Sequence, residues 1–173
     1  YEVANSCRFN AADTPKMYKT PGSTGDEQKW TLSFWIKRCK FGANKSVWGA
    51  QHPSDTSDVD NIRFNSSEQL QFFLNGASSA NIVTTQVFRD PSAWYHFVVA
   101  VDTTQGTGSN RVKIYVNGSQ ITSFGTETYP DQNHDTYNNT DDQRITIAAS
   151  GDSGSEGDND CYLAEVVGID GTQ

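Results

Sequence analysis

Helix-favouring residues are scarce in this chain. It holds four Leu and one Met in 173 residues, against twelve Val, eight Ile and seventeen Thr. Branched and aromatic side chains suit a pleated, half-buried surface, and no helical period is sustained anywhere. Basic residues are also few. Thirteen Lys and Arg against 21 Asp and Glu leave a formal net charge of −8. With no basic patch, the chain lacks the electrostatic footprint of a nucleic-acid binder. No apolar run approaches the roughly 18 residues of a membrane-spanning helix, so no membrane insertion is expected. Cysteine is limited to Cys7, Cys39 and Cys161. With no C-x-x-C pair a zinc site is not expected, and an odd count excludes complete internal pairing. The chain starts at Tyr1 without a leader segment, as a processed chain or a piece of a longer one would.

What is present reads as strands at sandwich spacing. Trp94-Tyr95-His96-Phe97-Val98-Val99-Ala100-Val101-Asp102 is apolar on both faces except at His96, the pattern of a central strand covered on both sides. Val112, Ile114 and Val116 then alternate with Lys113 and Tyr115, and Asn117-Gly118 follows, a strong hairpin signal. Residues 30–37 put Leu32, Phe34 and Ile36 on one face and Thr31, Ser33 and Trp35 on the other. Further strands are expected at 6–9, 45–50, 61–65, 69–74, 82–88, 120–124, 144–149 and 162–169. The architecture predicted is all-β, two antiparallel sheets packed face to face, in a single domain over 1–173. Trp94, Phe97, Val99 and Val101 should be buried between the sheets, and Trp94→Ala should cost roughly 3–5 kcal/mol. Long polar loops are expected at 51–60, 125–143 and 151–160, and loops of this length are commonly functional.

Five segments in this order carry a family resemblance: Ser6-Cys7-Arg8-Phe9-Asn10, Trp30-Thr31-Leu32-Ser33-Phe34-Trp35-Ile36-Lys37-Arg38, the run from Trp94 to Asp102, Tyr115-Val116-Asn117-Gly118, and Tyr162-Leu163-Ala164-Glu165-Val166. Together they resemble the concanavalin-like jelly roll of the laminin-G and pentraxin type. Their detailed form is similar to domains of bacteriophage tail-fibre and other virion-surface proteins. The resemblance implies a two-sheet jelly-roll sandwich. It also implies a non-enzymatic structural and recognition domain at a virion surface, in a phage fibre or capsid-decorating protein. Such a domain would contact other virion proteins, further copies of itself or a host-surface glycan. A secreted cellular carbohydrate-binding module is the alternative, and a glycoside-processing enzyme domain a second. Many relatives carry Asp where this chain has Ala164, so any role of that Asp is absent here. In sandwiches of this type the first and last strands are neighbours, so a Cys7–Cys161 bridge is one reading. Three buried free thiols are the other.

Calcium is the cofactor expected. Asp60 and Asn61 precede one strand, and Asp152, Glu156, Asp158 and Asp160 crowd a Gly-rich loop, a placement similar to the two ligand-bearing segments of pentraxins. A hard cation needs six to eight oxygens, so the two segments should converge. The other reading is a solvated acidic loop. For a glycan, aromatic platforms are sought in Tyr129, His134 and Tyr137 of the long loop and in Trp48 and His52 near the first. Enzymatic signals are weak. Retaining glycosidases need two carboxylates about 5 Å apart, which on a strand means alternate positions, yet Glu165 stands alone on its strand. There is no G-x-S-x-G elbow, and His96 reads as a packing residue. Sequons at Asn44, Asn65, Asn117 and Asn138 matter only in a eukaryotic host.

Overall fold

Alternation of apolar and polar side chains builds most of the strands. The computed structural model describes residues 3–51, 59–75, 78–150 and 159–173. These form β1 (Cys7–Phe9), β2 (Met17–Lys19), β3 (Lys29–Arg38), β4 (Lys45–Gln51), β5 (Val59–Phe64), β6 (Gln69–Leu74), β7 (Ala80–Val87), β8 (Tyr95–Asp102), β9 (Val112–Val116), β10 (Ser119–Gln120), β11 (Phe124–Thr128), β12 (Arg144–Ile147) and β13 (Cys161–Asp170). One sheet has six strands in the order β1-β13-β3-β8-β9-β10, and the other seven, in the order β11-β7-β6-β5-β4-β12-β2. Neighbouring strands run antiparallel throughout. The order, with first and last strands adjacent, is that of a jelly-roll sandwich.

The core lies between the sheets. From the six-stranded sheet come Trp30, Leu32, Phe34 and Ile36 of β3, Phe97, Val99 and Val101 of β8, and Val112 and Ile114 of β9. Ile62, Phe64, Phe72, Leu74 and Ile82 face them from the other sheet. Phe97 sits at the centre of an aromatic cluster, with Phe88, Phe34 and Phe64 at ring-centroid distances of 5.0, 5.6 and 5.7 Å. The Asn117-Gly118 hairpin forms as the sequence requires. Both residues have positive φ, 50° and 82°, the two-residue turn whose twist matches the strands it joins. Asn117 also accepts a hydrogen bond from the His96 N–H at 2.9 Å.

Five expectations need correction. Trp94 is not core: it precedes β8 and is 37% exposed. Tyr95, Phe97, Val99 and Val101 share the inward face, so the period of two turns Trp94 outward with His96 and Val98. β8 is accordingly not covered on both faces. His96 and Val98 are half-buried, and His96 stacks on Trp35 at 4.9 Å. Only part of the 125–143 segment is loop, since Phe124–Thr128 pairs with β7. β2 was missed because Met17, Tyr18 and Lys19 show no apolar alternation, and all three are exposed. Finally, β1 and β13 do pair, but Cys7 lies opposite Leu163 and Cys161 opposite Phe9. The two-residue offset places their Cα atoms roughly 8 Å apart, beyond the ~7 Å limit for a bridge. All three cysteines are free, with Cys161 buried and Cys7 and Cys39 exposed.

Candidate functional site

Asp60 opens β5 on its core-facing side and is 1% exposed. Its Oδ1 accepts from the Asn75 N–H at 2.9 Å and its Oδ2 from the Tyr137 N–H at 2.7 Å. The carboxylate therefore ties the end of β6 and the 129–143 segment to β5. Asn61 points to the opposite face. Its Oδ1 accepts from Ser46 Oγ at 3.2 Å, and the Ser46 carbonyl accepts from Asn159 Nδ2 at 2.9 Å. Asn61 and residue 159 thus come together through Ser46, but Asp60 is not part of that contact. Asp160 pairs with Arg8. Asp152, Glu156 and Asp158 lie outside the described residues. Among the described residues no three His, Cys, Asp or Glu side chains are grouped to hold a metal. Each Asp60 oxygen accepts one backbone N–H, which gives the carboxylate a structural role at this end of β5.

The aromatic candidates are also dispersed. Trp48 is not an exposed platform: it is 2% exposed and packs on Trp30, rings 5.2 Å apart. Tyr129 and Tyr137 are half-buried and pack against the core. The Tyr129 hydroxyl donates to Glu127 Oε1 at 2.7 Å, and burial, with that carboxylate, pushes its pKa up. His134 is half-buried, and its carbonyl accepts from Thr103 Oγ1 at 2.8 Å. His52 lies outside the described residues. The 129–143 segment is a bound strap. Its key residue, unnoticed in the sequence, is Thr136, whose Oγ1 accepts from Trp30 Nε1 at 3.0 Å and donates to the Glu27 carbonyl at 2.7 Å.

A more continuous polar arrangement lies on the outer face of the seven-stranded sheet, where Ser46, Asn61, Gln71, Phe73 and Thr146 are buried, Arg63 and Asn81 half-buried and Tyr18 exposed. Strand register aligns Tyr18, Thr146, Gly49, Asn61, Phe73, Asn81 and Thr128 in one row across all seven strands. A second row holds Ser46, Arg63, Gln71, Val83 and Thr126. Arg63 Nε donates to Gln71 Oε1 at 2.9 Å, and Gln71 Nε2 donates to Asn81 Oδ1 at 2.8 Å. The Arg63 guanidinium lies 4.7 Å from the Phe73 ring centroid, a cation–π contact. Asn61 Nδ2 is buried and has no hydrogen-bond partner, an uncommon and costly state. At its accessible positions the face offers the Arg63 guanidinium, the Asn81 amide and the Tyr18 ring, while the Phe73 ring is buried; neither row contains a carboxylate. The sequence signal was there in Asn61-Ile62-Arg63-Phe64 and Gln71-Phe72-Phe73, where polar groups alternate with core residues.

Residues 13–164 match a laminin G family model described as the concanavalin A-like lectin/glucanases superfamily. The chain belongs to this superfamily. Among solved structures it resembles the SAP-like pentraxin of Limulus polyphemus, described as heptameric (TM-score 0.60, 14% identity, 97% of this chain and 73% of that one). It also resembles domains LG4-5 of the mouse laminin alpha1 chain (0.65, 12%, 99% and 43%). The CBM40 of the Ruminococcus gnavus IT-sialidase is similar over 91% of both chains (0.60, 10%). This laminin-G-like domain thus spans under half of the laminin chain it matches. At such identities the likeness is one of fold. No curated protein sequence matches the chain.

Proposed function

We propose that this laminin-G-like domain is a non-enzymatic recognition module that binds glycan on the outer face of its seven-stranded sheet. The carrying observation is the Arg63–Gln71–Asn81 hydrogen-bonded chain, whose half-buried ends Arg63 and Asn81 reach the surface of that face beside the row of the exposed Tyr18 ring. A sugar presents hydroxyls that donate and accept, and apolar C–H faces that stack on aromatic rings. The rows supply both needs. Membership of a lectin-like superfamily supports the ligand class.

The setting proposed is a virion surface, in a phage fibre or capsid-decorating protein, with other virion proteins as neighbours. Its support is the sequence resemblance at residues 6–10, 30–38 and 162–166. A secreted cellular carbohydrate-binding module is the competing setting, and immunogold labelling of purified virions separates the two. For the binding face, a glycan array with the wild-type chain should give a defined set of positive sugars. Asn81→Ala, at the half-buried end of the chain, should weaken binding by at least tenfold while the thermal midpoint holds. An array without positives, or binding indifferent to Asn81→Ala and Arg63→Ala, overturns the reading.

A further inference from the structure

The two sheets do not fill the space between them everywhere. Where β3 and β13 face β2 and β12, a groove of about 660 Å³ remains. Strand register shows which side chains look into it, because cross-strand partners share a face. Gly168 lies opposite Leu32 and Asp170 opposite Trp30, and both partners are core residues. Positions 168 and 170 therefore face inward from the six-stranded sheet. From the other sheet, Ile147 lies between Met17 and the buried Trp48, and Ile145 between Lys19 and the buried Ala50. Inner faces of a sandwich normally interdigitate at the density of an organic crystal. Here β13 offers Val166, then Gly168, then Asp170, and the middle position supplies no side chain.

The backbone does not demand glycine at 168, since its φ is not positive, and an added Cβ would meet nothing within 4 Å. Ile145, Ile147 and Val166 stay half-buried and Met17 is 46% exposed. The groove has the size of small-molecule sites, about 300–1,000 Å³, and their make-up of apolar walls with a few placed polar groups. One part of the lining is polar and already tied. The Asn139 carbonyl accepts from the Gly25 N–H at 2.8 Å. Asp170 Oδ1 accepts from Asn139 Nδ2 at 3.0 Å and from the Asp26 N–H at 2.9 Å. Lys19 is the one cation of the lining, and it makes no ion pair among the described residues.

We propose that the groove binds a fatty acid, with its alkyl chain between the sheets and its carboxylate on the Lys19 ammonium. The chain occupies the space that Gly168 leaves empty and covers the exposed sides of Ile145, Ile147 and Val166, removing apolar surface from water. Charge selects the head group. The Asp170 carboxylate already has donors of the protein itself, whereas the Lys19 ammonium has no carboxylate of its own. A cationic head would have no free anion in the lining, and a neutral head would leave Lys19 unpaired. The site lies between the sheets, apart from the outer face proposed for glycan, so the two readings stand or fall separately.

Isothermal calorimetry on the wild-type chain with decanoate, decylamine and decanol, each below its micellar or solubility limit, tests this. Decanoate should bind saturably, one per chain, and at least tenfold more tightly than the amine or the alcohol. Gly168→Leu fills the groove with the chain's own atoms. It should weaken decanoate at least tenfold, with an unchanged strand signature in circular dichroism and a thermal midpoint no lower than wild type. Lys19→Met keeps an unbranched side chain at the groove. It should bring decanoate down to the level of decanol and leave decanol itself unchanged, which decides the matter even if Gly168→Leu does not fold. Neither variant should alter a glycan-array signal. No saturable decanoate binding, a preference for decylamine, decanoate affinity indifferent to Lys19→Met, or a folded Gly168→Leu that binds decanoate like wild type overturns the proposal.

Discussion

Single residues divide into those the environment commits and those it leaves available. Asp60 is committed: its oxygens satisfy two backbone N–H groups of separate segments. Asp60→Ala strands both, and each unsatisfied buried group costs about 1–3 kcal/mol. Asp60→Asn keeps one acceptor and should lose less. Urea unfolding should show the same loss with calcium and with EDTA. A loss confined to the calcium sample would give Asp60 the metal-ligand role expected from the sequence. Cys161 is committed in another way, for burial pushes its thiol up to about 12. The thiolate is the reactive form, so Cys161 should resist iodoacetamide in the native state while the exposed Cys7 and Cys39 react. Mass spectrometry should find two labels on native protein and three after denaturation. Trp94 and Trp30 show how parity decides cost. The first is partly exposed, the second is 2% exposed with its indole N–H bonded to Thr136. The 3–5 kcal/mol expected for truncating a buried tryptophan therefore belongs to Trp30.

Elements are held in place by polar links that cross the sheets as well as by the core. The tightest joins the end of β3 to the turn before β6. Arg38, 1% exposed, donates to Glu68 Oε2 at 2.6 Å and to the Phe88 carbonyl at 2.7 Å, between the Phe41 and Phe64 rings. Glu68 Oε1 in turn accepts from the Gly42 N–H. Burial pulls the guanidinium pKa down, and the Glu68 carboxylate opposes that pull. Breaking a buried pair by removing one partner strands the other charge and costs roughly 3–5 kcal/mol. Arg38→Met and Glu68→Gln should each fall in that range by denaturant unfolding. The double variant should fall short of their sum, and strict additivity would mean the pair is not coupled. None of this was legible in the sequence, where Arg38 and Glu68 lie thirty residues apart in polar surroundings. What was legible has a local cause. β3 and β9 announce themselves because alternation is a property of one segment, β8 because an apolar run is, and Asn117-Gly118 because φ is. Tyr18 and Thr136 were missed because their roles depend on partners dozens of residues away, and the two backbone partners of Asp60 were hidden for the same reason. The outer-face rows were missed for the same reason, since register between strands builds them.

At the scale of the whole molecule, acidity and stability pull against each other. The 21 carboxylates and net charge of −8 mean that mild acidification relieves repulsion, which favours the folded state. The opposing effect comes from carboxylates whose pKa is lower folded than unfolded. Asp102, at the end of β8, is one. Burial alone would raise its pKa, but hydrogen bonds from the Thr104 hydroxyl and N–H and from Gln105, with Lys29 at 3.6 Å, outweigh burial and lower it. The sign follows directly. A depressed folded pKa contributes stability that is complete above the unfolded value, about 3.9 for Asp, and is lost as pH falls through the folded value. Because relief of repulsion acts over the same range, a wild-type acid titration would mix the two. Asp102→Asn separates them, since it removes the titrating group and leaves the other carboxylates in place. The wild type should exceed Asp102→Asn in urea midpoint at pH 7, and the gap should narrow as the pH drops below the ordinary carboxylate range. A gap independent of pH would mean that Asp102 contributes through packing of the β8–β9 connection and not through its charge.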